Sequence, residues 1–268
     1  MINYNMTDKE YVKLGKDTNN GFGALSYTAA SRGVVSPARA VSRDPNKIIK
    51  ANFGVFMHEL LFTPEVIEDR YIIEDYEPAR RKAIKDSGKL RINRRGKDSL
   101  DMANSMIKSI KANSTAWTWL HSTHNEVVVD YTCPETGIYI KTRLDAYKED
   151  RGNHCIVDLK TVSENDLHDN DILRRYIEKK EYHLQAAAFT EAIKMNTNAH
   201  PNNLHYVIVF VESEPYYRDR EEWHGIKVVK IDRLMYLGDE LWQQRKREFA
   251  EGCANQHHKD YEDILLNF

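Results

Sequence analysis

Cysteine is scarce in this chain: three in 268 residues, Cys133, Cys155 and Cys253, far apart and odd in number. That spacing excludes a disulfide framework and any zinc or iron–sulfur pattern, and it suits a reducing compartment. Long apolar runs are missing too. The longest, Tyr206 to Val211, has six residues, which excludes a membrane-spanning helix. Met1 to Glu10 holds no apolar stretch of signal-peptide length. The expectation is a cytoplasmic protein with no membrane partner. An excess of one charge is absent as well. Lys and Arg number 39 against 41 Asp and Glu, a formal charge of -2, so any polyanionic partner must be held by local patches. No repeat period or low-complexity tract is visible.

Aromatic area and charge are what the chain does have. Its 15 Tyr, 8 Phe and 4 Trp supply enough area for a core, although 30% of the residues are charged, so global disorder is excluded. No linker interrupts the pattern. The expectation is one domain over 1–268, with a mostly helical extension over 1–98, a core over 99–250 and a tail over 251–268. Charge is segregated within it. Pro64 to Glu77 carries six acids against Arg70, and Ala79 to Lys97 carries nine bases against Asp86. The basic stretch reads as a solvated face or mobile loop, or else as a phosphate-gripping segment.

The hydrophobic period predicts a helix over Asn52 to Phe62, ended by Pro64, and a second over Ser99 to His121 with Asp98 as its cap. Trp117 falls on the packing stripe of that second helix; neither it nor Trp119 is assigned to nucleic acid. The period then changes to two. Asn125 to Tyr131 places Val127, Val129 and Tyr131 on one face and Glu126, Val128 and Asp130 on the other. Ile138 to Tyr147 points Ile138, Ile140, Leu144 and Ala146 one way and Lys141, Arg143 and Asp145 the other. After a charged turn over Lys148 to Asn153, His154 to Thr161 completes a three-stranded antiparallel meander. A helix over Glu178 to Met195, strands over Leu204 to Val211 and Ile226 to Ile231, and a helix over Asp232 to Ala250 follow. The fold class is mixed α/β.

Asp158 and Lys160 stand two apart on a strand and share a face. Asp145 lies on the preceding strand, and Glu126 on the first can join them. Carboxylates with few His or Cys partners bind a hard cation such as Mg²⁺. Such a cation polarises a phosphodiester and acidifies a bound water, while a neighbouring lysine orients that water or meets developing negative charge. The other reading of the same residues is an exposed Asp–Lys strand pair of modest energy. Spacing alone leaves both open.

Four stretches, in order, carry a resemblance: Glu126, "KTRLDAY" around Asp145, "IVDLKTV" around Asp158 and Lys160, and "YHLQAAAF" from Tyr182 to Phe189. Together they resemble the PD-(D/E)XK nuclease superfamily and, within it, the RecE-type, exodeoxyribonuclease VIII-like exonucleases of phages and prophages. "LSYTAASRGVVSPARA" from Leu25 and "FGVFMHELLFTPE" from Phe53 are similar to that family's entry segment. The resemblance implies a restriction-endonuclease-like core with a central mixed sheet flanked by helices. It implies Asp145 and Asp158 as metal-binding carboxylates, the Leu159 carbonyl as a further ligand and Lys160 as the catalytic lysine. Glu126 would be a second-metal ligand or water-orienting acid, and His58 the site histidine of the N-terminal extension. Tyr182 and Gln185 would flank the site on a helix, Gln185 near the lysine or a DNA phosphate. Leu144 stands where the superfamily name has proline, and the second acid is Asp158 rather than Glu; both variants fit RecE-type members. The implied activity is Mg²⁺-dependent degradation of linear duplex DNA from the 5′ end, with Mn²⁺ as a substitute and one or two ions per site. The implied partners are duplex DNA ends, a single-strand annealing protein and further copies in a ring-shaped homo-oligomer, in the host cytoplasm if phage-encoded.

Overall fold

The computed structural model describes residues 1–21, 23–31, 53–75, 87–162, 169–231 and 235–254. Its centre is a six-stranded sheet in the order β1-β4-β5-β6-β7-β8. The strands are β1 (Ile2–Asn3), β4 (His124–Thr132), β5 (Tyr139–Asp150), β6 (Asn153–Val162), β7 (Leu204–Arg218) and β8 (Glu221–Lys230). All neighbours are antiparallel except β6 and β7. A parallel pair needs a crossover, and here two helices make it: α7 (Asn170–Lys179) and α8 (Tyr182–Thr197). The extension adds a small parallel pair, β2 (Tyr71–Ile73) with β3 (Leu90–Ile92). The expected mixed α/β class, with a central sheet between helical layers, is what the chain adopts.

Two apolar layers cover the sheet. One holds α2 (Tyr27–Ser31), α7, α8 and α9 (Met235–Ala254) against Ile156, Tyr206, Ile208 and Phe210. The other holds α3 (Phe53–Phe62), α4 (Ile67–Arg70), α5 (Leu100–Ala112) and α6 (Ser114–Leu120) against Val157, Leu159, Val209 and Val211. The period of two along β6 therefore puts Asp158 and Lys160 on the first face and Leu159 on the second. Helices α8 and α9 cross where Gly238 lies against the His183 carbonyl, with no room for a Cβ between them.

Several boundaries differ from expectation, each for a local reason. The helix expected over Ser99 to His121 is two helices. Asn113 leaves helical geometry (φ -82°, ψ 103°) and its side chain accepts from Ala116 N at 3.0 Å, the competition that disfavours asparagine inside helices. Ser99, not Asp98, caps the first of them, accepting from Met102 N at 3.2 Å. The helix expected from Glu178 begins earlier as α7 and breaks at Glu181, which sits in the left-handed region. The turn expected over Lys148 to Asn153 shrinks to Arg151 and Gly152, both at positive φ, as a tight hairpin requires. Strands β7 and β8 extend past the expected ends as a hairpin, and α9 runs on to Ala254. Residues 32–40 of the entry segment, and Arg80, Arg81, Lys82 and Lys85 of the basic stretch, lie outside the described residues. In the part described, Lys89 Nζ donates to the Glu68 carbonyl at 2.7 Å, Arg91 is half-buried on β3, and Arg94, Arg95 and Lys97 are exposed.

The strict alternation expected along β5 fails at one place. Leu144 packs in the first layer and Ala146 in the second, although they are two apart. Across from this point, Glu126 on β4 has φ 54°, the left-handed region that a side chain with a Cβ rarely occupies. On either side of it, Val127 enters the first layer, while Asn125 donates to the Phe62 carbonyl of α3 at 3.0 Å. The backbone reverses its faces at Glu126 and Asp145, so both side chains leave the regular pleat.

Candidate active site

Strands β5 and β6 pair only from Ala146↔Val157 to Asp150↔Asn153. Beyond that, β5 pairs with β4, β6 pairs with β7, and the two diverge into a fork. Asp145 and Asp158 stand at its mouth. At the opening, the Leu159 N–H turns to Asp145 Oδ2 at 3.4 Å. The Leu159 side chain packs in the second layer, on the face opposite Asp158 and Lys160.

His58, on α3, closes the fork from the second layer. Its ring lies edge-on to Phe62, one turn on, at 4.6 Å between centroids. Its Nε2 is 2.9 Å from Asp145 Oδ2 and its Nδ1 is 3.4 Å from Glu126 Oε1. The other Glu126 oxygen, Oε2, is 2.9 Å from Arg143 Nε. On the far side, Lys160 Nζ is 2.6 Å from Asp158 Oδ2, and Gln185 of α8 donates to Asp158 Oδ1 at 2.9 Å. The Lys160 ammonium sits 5.3 Å from the centroid of the Tyr182 ring. The structure thus brings together His58, Glu126, Asp145, Asp158, Lys160, Tyr182 and Gln185, from the five elements α3, β4, β5, β6 and α8.

These residues form two adjoining groups. Donor atoms of His58, Glu126 and Asp145 all lie within 4.8 Å of one another, the one such group among the described residues. Asp158, Lys160 and Gln185 form the other. Two carboxylates and one imidazole fit a hard divalent cation whose remaining positions are filled by water. Asp158 lies outside this donor group: its buried Oδ2 is paired with the Lys160 ammonium at 2.6 Å.

Electrostatics separate the two acids. Burial works to raise the Asp145 carboxyl, but the His58 imidazolium and then Lys160 outweigh it and hold it well below the usual carboxylate range. Burial raises Asp158; the Lys160 ammonium pulls it back and the Asp145 carboxylate pushes it up again, for a net rise. Burial works against the charge on His58, yet Asp145, Glu126 and Asp158 together raise its pKa. In the metal-free protein the histidine therefore contributes stability that is complete below the free-histidine value and fades as pH rises through its folded value. A histidine that ligates a metal must be neutral imidazole, so a cation held by His58 would have to displace this proton. Mn²⁺ affinity is expected to rise with pH up to the raised value of this histidine, with proton release measurable as a buffer-dependent binding enthalpy. The slope should flatten in His58→Gln; an unchanged slope in that variant would exclude the histidine as the source of the proton.

The sequence reading placed Arg143 on the polar face beside Asp145 but gave it no role. Its signal was available as a basic residue two before the acid on one strand. The reading named Tyr182 but missed Tyr27 and Tyr206; all three have pKa values raised by burial and, further, by the Asp158 carboxylate. Tyr206 is fully buried, its hydroxyl without an aligned partner, and it was hidden inside the most apolar run of the chain.

A family model described as a PDDEXK-like domain of unknown function (DUF3799) matches residues 38–232, a span that includes every side chain of the fork. No curated protein matches the chain. Among solved structures, it is similar to the crystal structure of a protein from Eubacterium rectale named "Putative exonuclease". The TM-score is 0.57 at 14% identity, over 98% of both chains; at that identity the likeness is one of fold. A structure of the protein SSO0001 aligns over 82% of this chain and 85% of its own at 11% identity, with a TM-score of 0.28.

Proposed function

The chain belongs to this PDDEXK-like family and has its nuclease fold, and from that premise we propose that it is a divalent-metal-dependent deoxyribonuclease that degrades linear duplex DNA from its ends. The observation that carries the nuclease reading is the fork itself. A lysine ammonium lies 2.6 Å from a buried aspartate, beside a His–Glu–Asp donor group. That combination suits phosphodiester hydrolysis.

His58, Glu126 and Asp145 are the proposed metal-holding side chains, joined by Asp158 and the Leu159 carbonyl, for Mg²⁺ with Mn²⁺ as a substitute and one or two ions per site. The bound cation supplies Lewis acidity and an acidified water. Lys160 orients the attacking water and meets the negative charge that develops on the phosphate oxygens. Asp158 holds the lysine, and Gln185 fixes the carboxylate by occupying its other oxygen. Tyr182 walls the lysine on one side and keeps the ammonium from swinging out of the fork.

The end preference, the 5′ to 3′ polarity and the 3′-tailed product rest on the resemblance to RecE-type enzymes. By the same resemblance, a single-strand annealing protein takes the product, and a ring-shaped homo-oligomer surrounds the duplex. With Mg²⁺, linear duplex is expected to be consumed and covalently closed circles spared. A 5′-end label should be released early while a 3′-end label stays on long single strands. Rapid cutting of closed circles would overturn the exonuclease reading in favour of an endonuclease; no cutting of any DNA, with metal binding intact, would make the chain a DNA-binding protein on this fold.

A further inference from the structure

We propose that Arg143 and Tyr11 are positioning residues for Glu126, so that the N-terminal helix α1 (Asp8–Lys13) is part of the device that holds the cation. This rests on the reading of Glu126 as a metal-holding residue.

Glu126 needs an external hold. Its backbone is in the left-handed region at φ 54°, a conformation that persists only where surroundings over-determine it. Its two oxygens are divided between two tasks. Oε1 faces His58 Nδ1 at 3.4 Å, in the donor group. Oε2 is anchored by Arg143 Nε at 2.9 Å. Arg143 is the Cα partner of Val128, so the anchor spans β4 and β5 just where the pleat reverses.

Arg143 is itself held. Its guanidinium carbon lies 5.1 Å from the centroid of the Tyr11 ring, and Lys141 Nζ lies 4.7 Å from the same centroid. Lys141 also donates to the carbonyls of Tyr11 at 2.7 Å and Leu14 at 2.8 Å. Those carbonyls are at the negative end of α1, where a cation is favoured. One lysine thus pins the helix to β5, and the pinned helix offers its aromatic face to the arginine. The contacts run without interruption from Lys141 through Tyr11, Arg143 and Glu126 to His58 and Asp145. Metal ligands supported in this way lose affinity about 10- to 100-fold when the supporting partner is changed.

A competing account makes Arg143 an antagonist that neutralises Glu126 and repels the cation. The two accounts predict opposite signs. Calorimetric Mn²⁺ titration of the full chain without DNA separates them, with circular dichroism to confirm folding. Arg143→Lys and Arg143→Gln should each weaken Mn²⁺ binding about tenfold or more. Tyr11→Ala should weaken it in the same direction, and Tyr11→Phe, which keeps the ring, should restore binding towards wild type. Arg143→Gln binding as tightly as wild type, or more tightly, overturns the proposal. Glu126→Gln serves as the control. If it binds normally, Glu126 is not a ligand and the site reading fails at that residue; if wild type binds no Mn²⁺, the donor-group reading falls and takes this inference with it.

Discussion

Replacing Lys160 by alanine is expected to lower DNA cleavage by about a hundredfold or more while Mn²⁺ and DNA still bind. Loss of one preorganised charge at a site of this kind has that magnitude. The donor group of His58, Glu126 and Asp145 remains in place, so the proposed metal-holding side chains are kept. Asp145→Ala should behave differently, because it removes a member of that group along with the partner of His58 Nε2. Both metal binding and cleavage should fall. The pH behaviour of Lys160→Ala follows from Asp158. Burial and Asp145 raise this carboxyl, and the ammonium opposes the rise. Without the ammonium the carboxyl goes higher still, so the defect should be deeper at low pH and partly relieved as pH rises and Asp158 ionises. Ca²⁺, with longer and less regular coordination than Mg²⁺, should support DNA binding without efficient cleavage. Metal titration beside a nuclease assay on wild type and both variants reads these outcomes. If folded Lys160→Ala and Asp145→Ala both cleave at the wild-type rate, the fork is not where phosphodiesters are cut.

The parts of this site that were legible in the sequence are those governed by period. Alternation in Asn125 to Tyr131, Ile138 to Tyr147 and His154 to Thr161 exposes the meander, and two-residue spacing puts Asp158 with Lys160. What was not legible depends on single residues that break a period without a glycine or proline to mark them. Glu126 turns left-handed inside a strand, and nothing in "HNEVVVDY" distinguishes it from an ordinary pleated residue. Asn113 and Glu181 each split a helix whose apolar stripe continues on both sides. The outer half of β7 is exposed, and the facing half of β8 is mostly half-buried around His224 with no apolar alternation, so hydropathy ends both strands early although the backbone pairing goes on. The grouping of His58 with Glu126 and Asp145 required the resemblance, because α3 reaches the fork from a separate layer and no local pattern couples it to the meander. That a lysine of α9 is buried was equally hidden, since Lys246 lies in the charged stretch "QQRKRE", which reads as a solvated face.

That lysine carries the largest expected loss of stability. Lys246 is 1% exposed, and its Nζ is 2.6 Å from Glu191 Oε1 and 3.7 Å from Cys133 Sγ. The second Glu191 oxygen accepts from Tyr131 Oη at 3.0 Å and from Trp242 Nε1. The cluster ties α9 to α8 and to the end of β4, beneath the first apolar layer. Lys246→Met keeps the stem of the side chain and removes the ammonium, which leaves the Glu191 carboxylate with neutral donors only. Removing one partner of a buried pair costs about 3–5 kcal/mol. At roughly 2–4 °C per kcal/mol for a chain of this size, Tm should fall by about 6–20 °C. The pair itself need not be stabilising relative to an uncharged one, because both ions are desolvated on folding. Lys246→Met combined with Glu191→Gln, which keeps acceptors and removes the charge, should therefore recover much of the loss, a coupling that separate sites would not show. Thermal and urea unfolding of the two single variants and the double variant measure it. A Lys246→Met protein that melts with wild type, or a double variant whose loss is the sum of the singles, would show that the Glu191 charge is satisfied without the lysine, leaving the ammonium a neighbour of the cluster rather than its counter-ion.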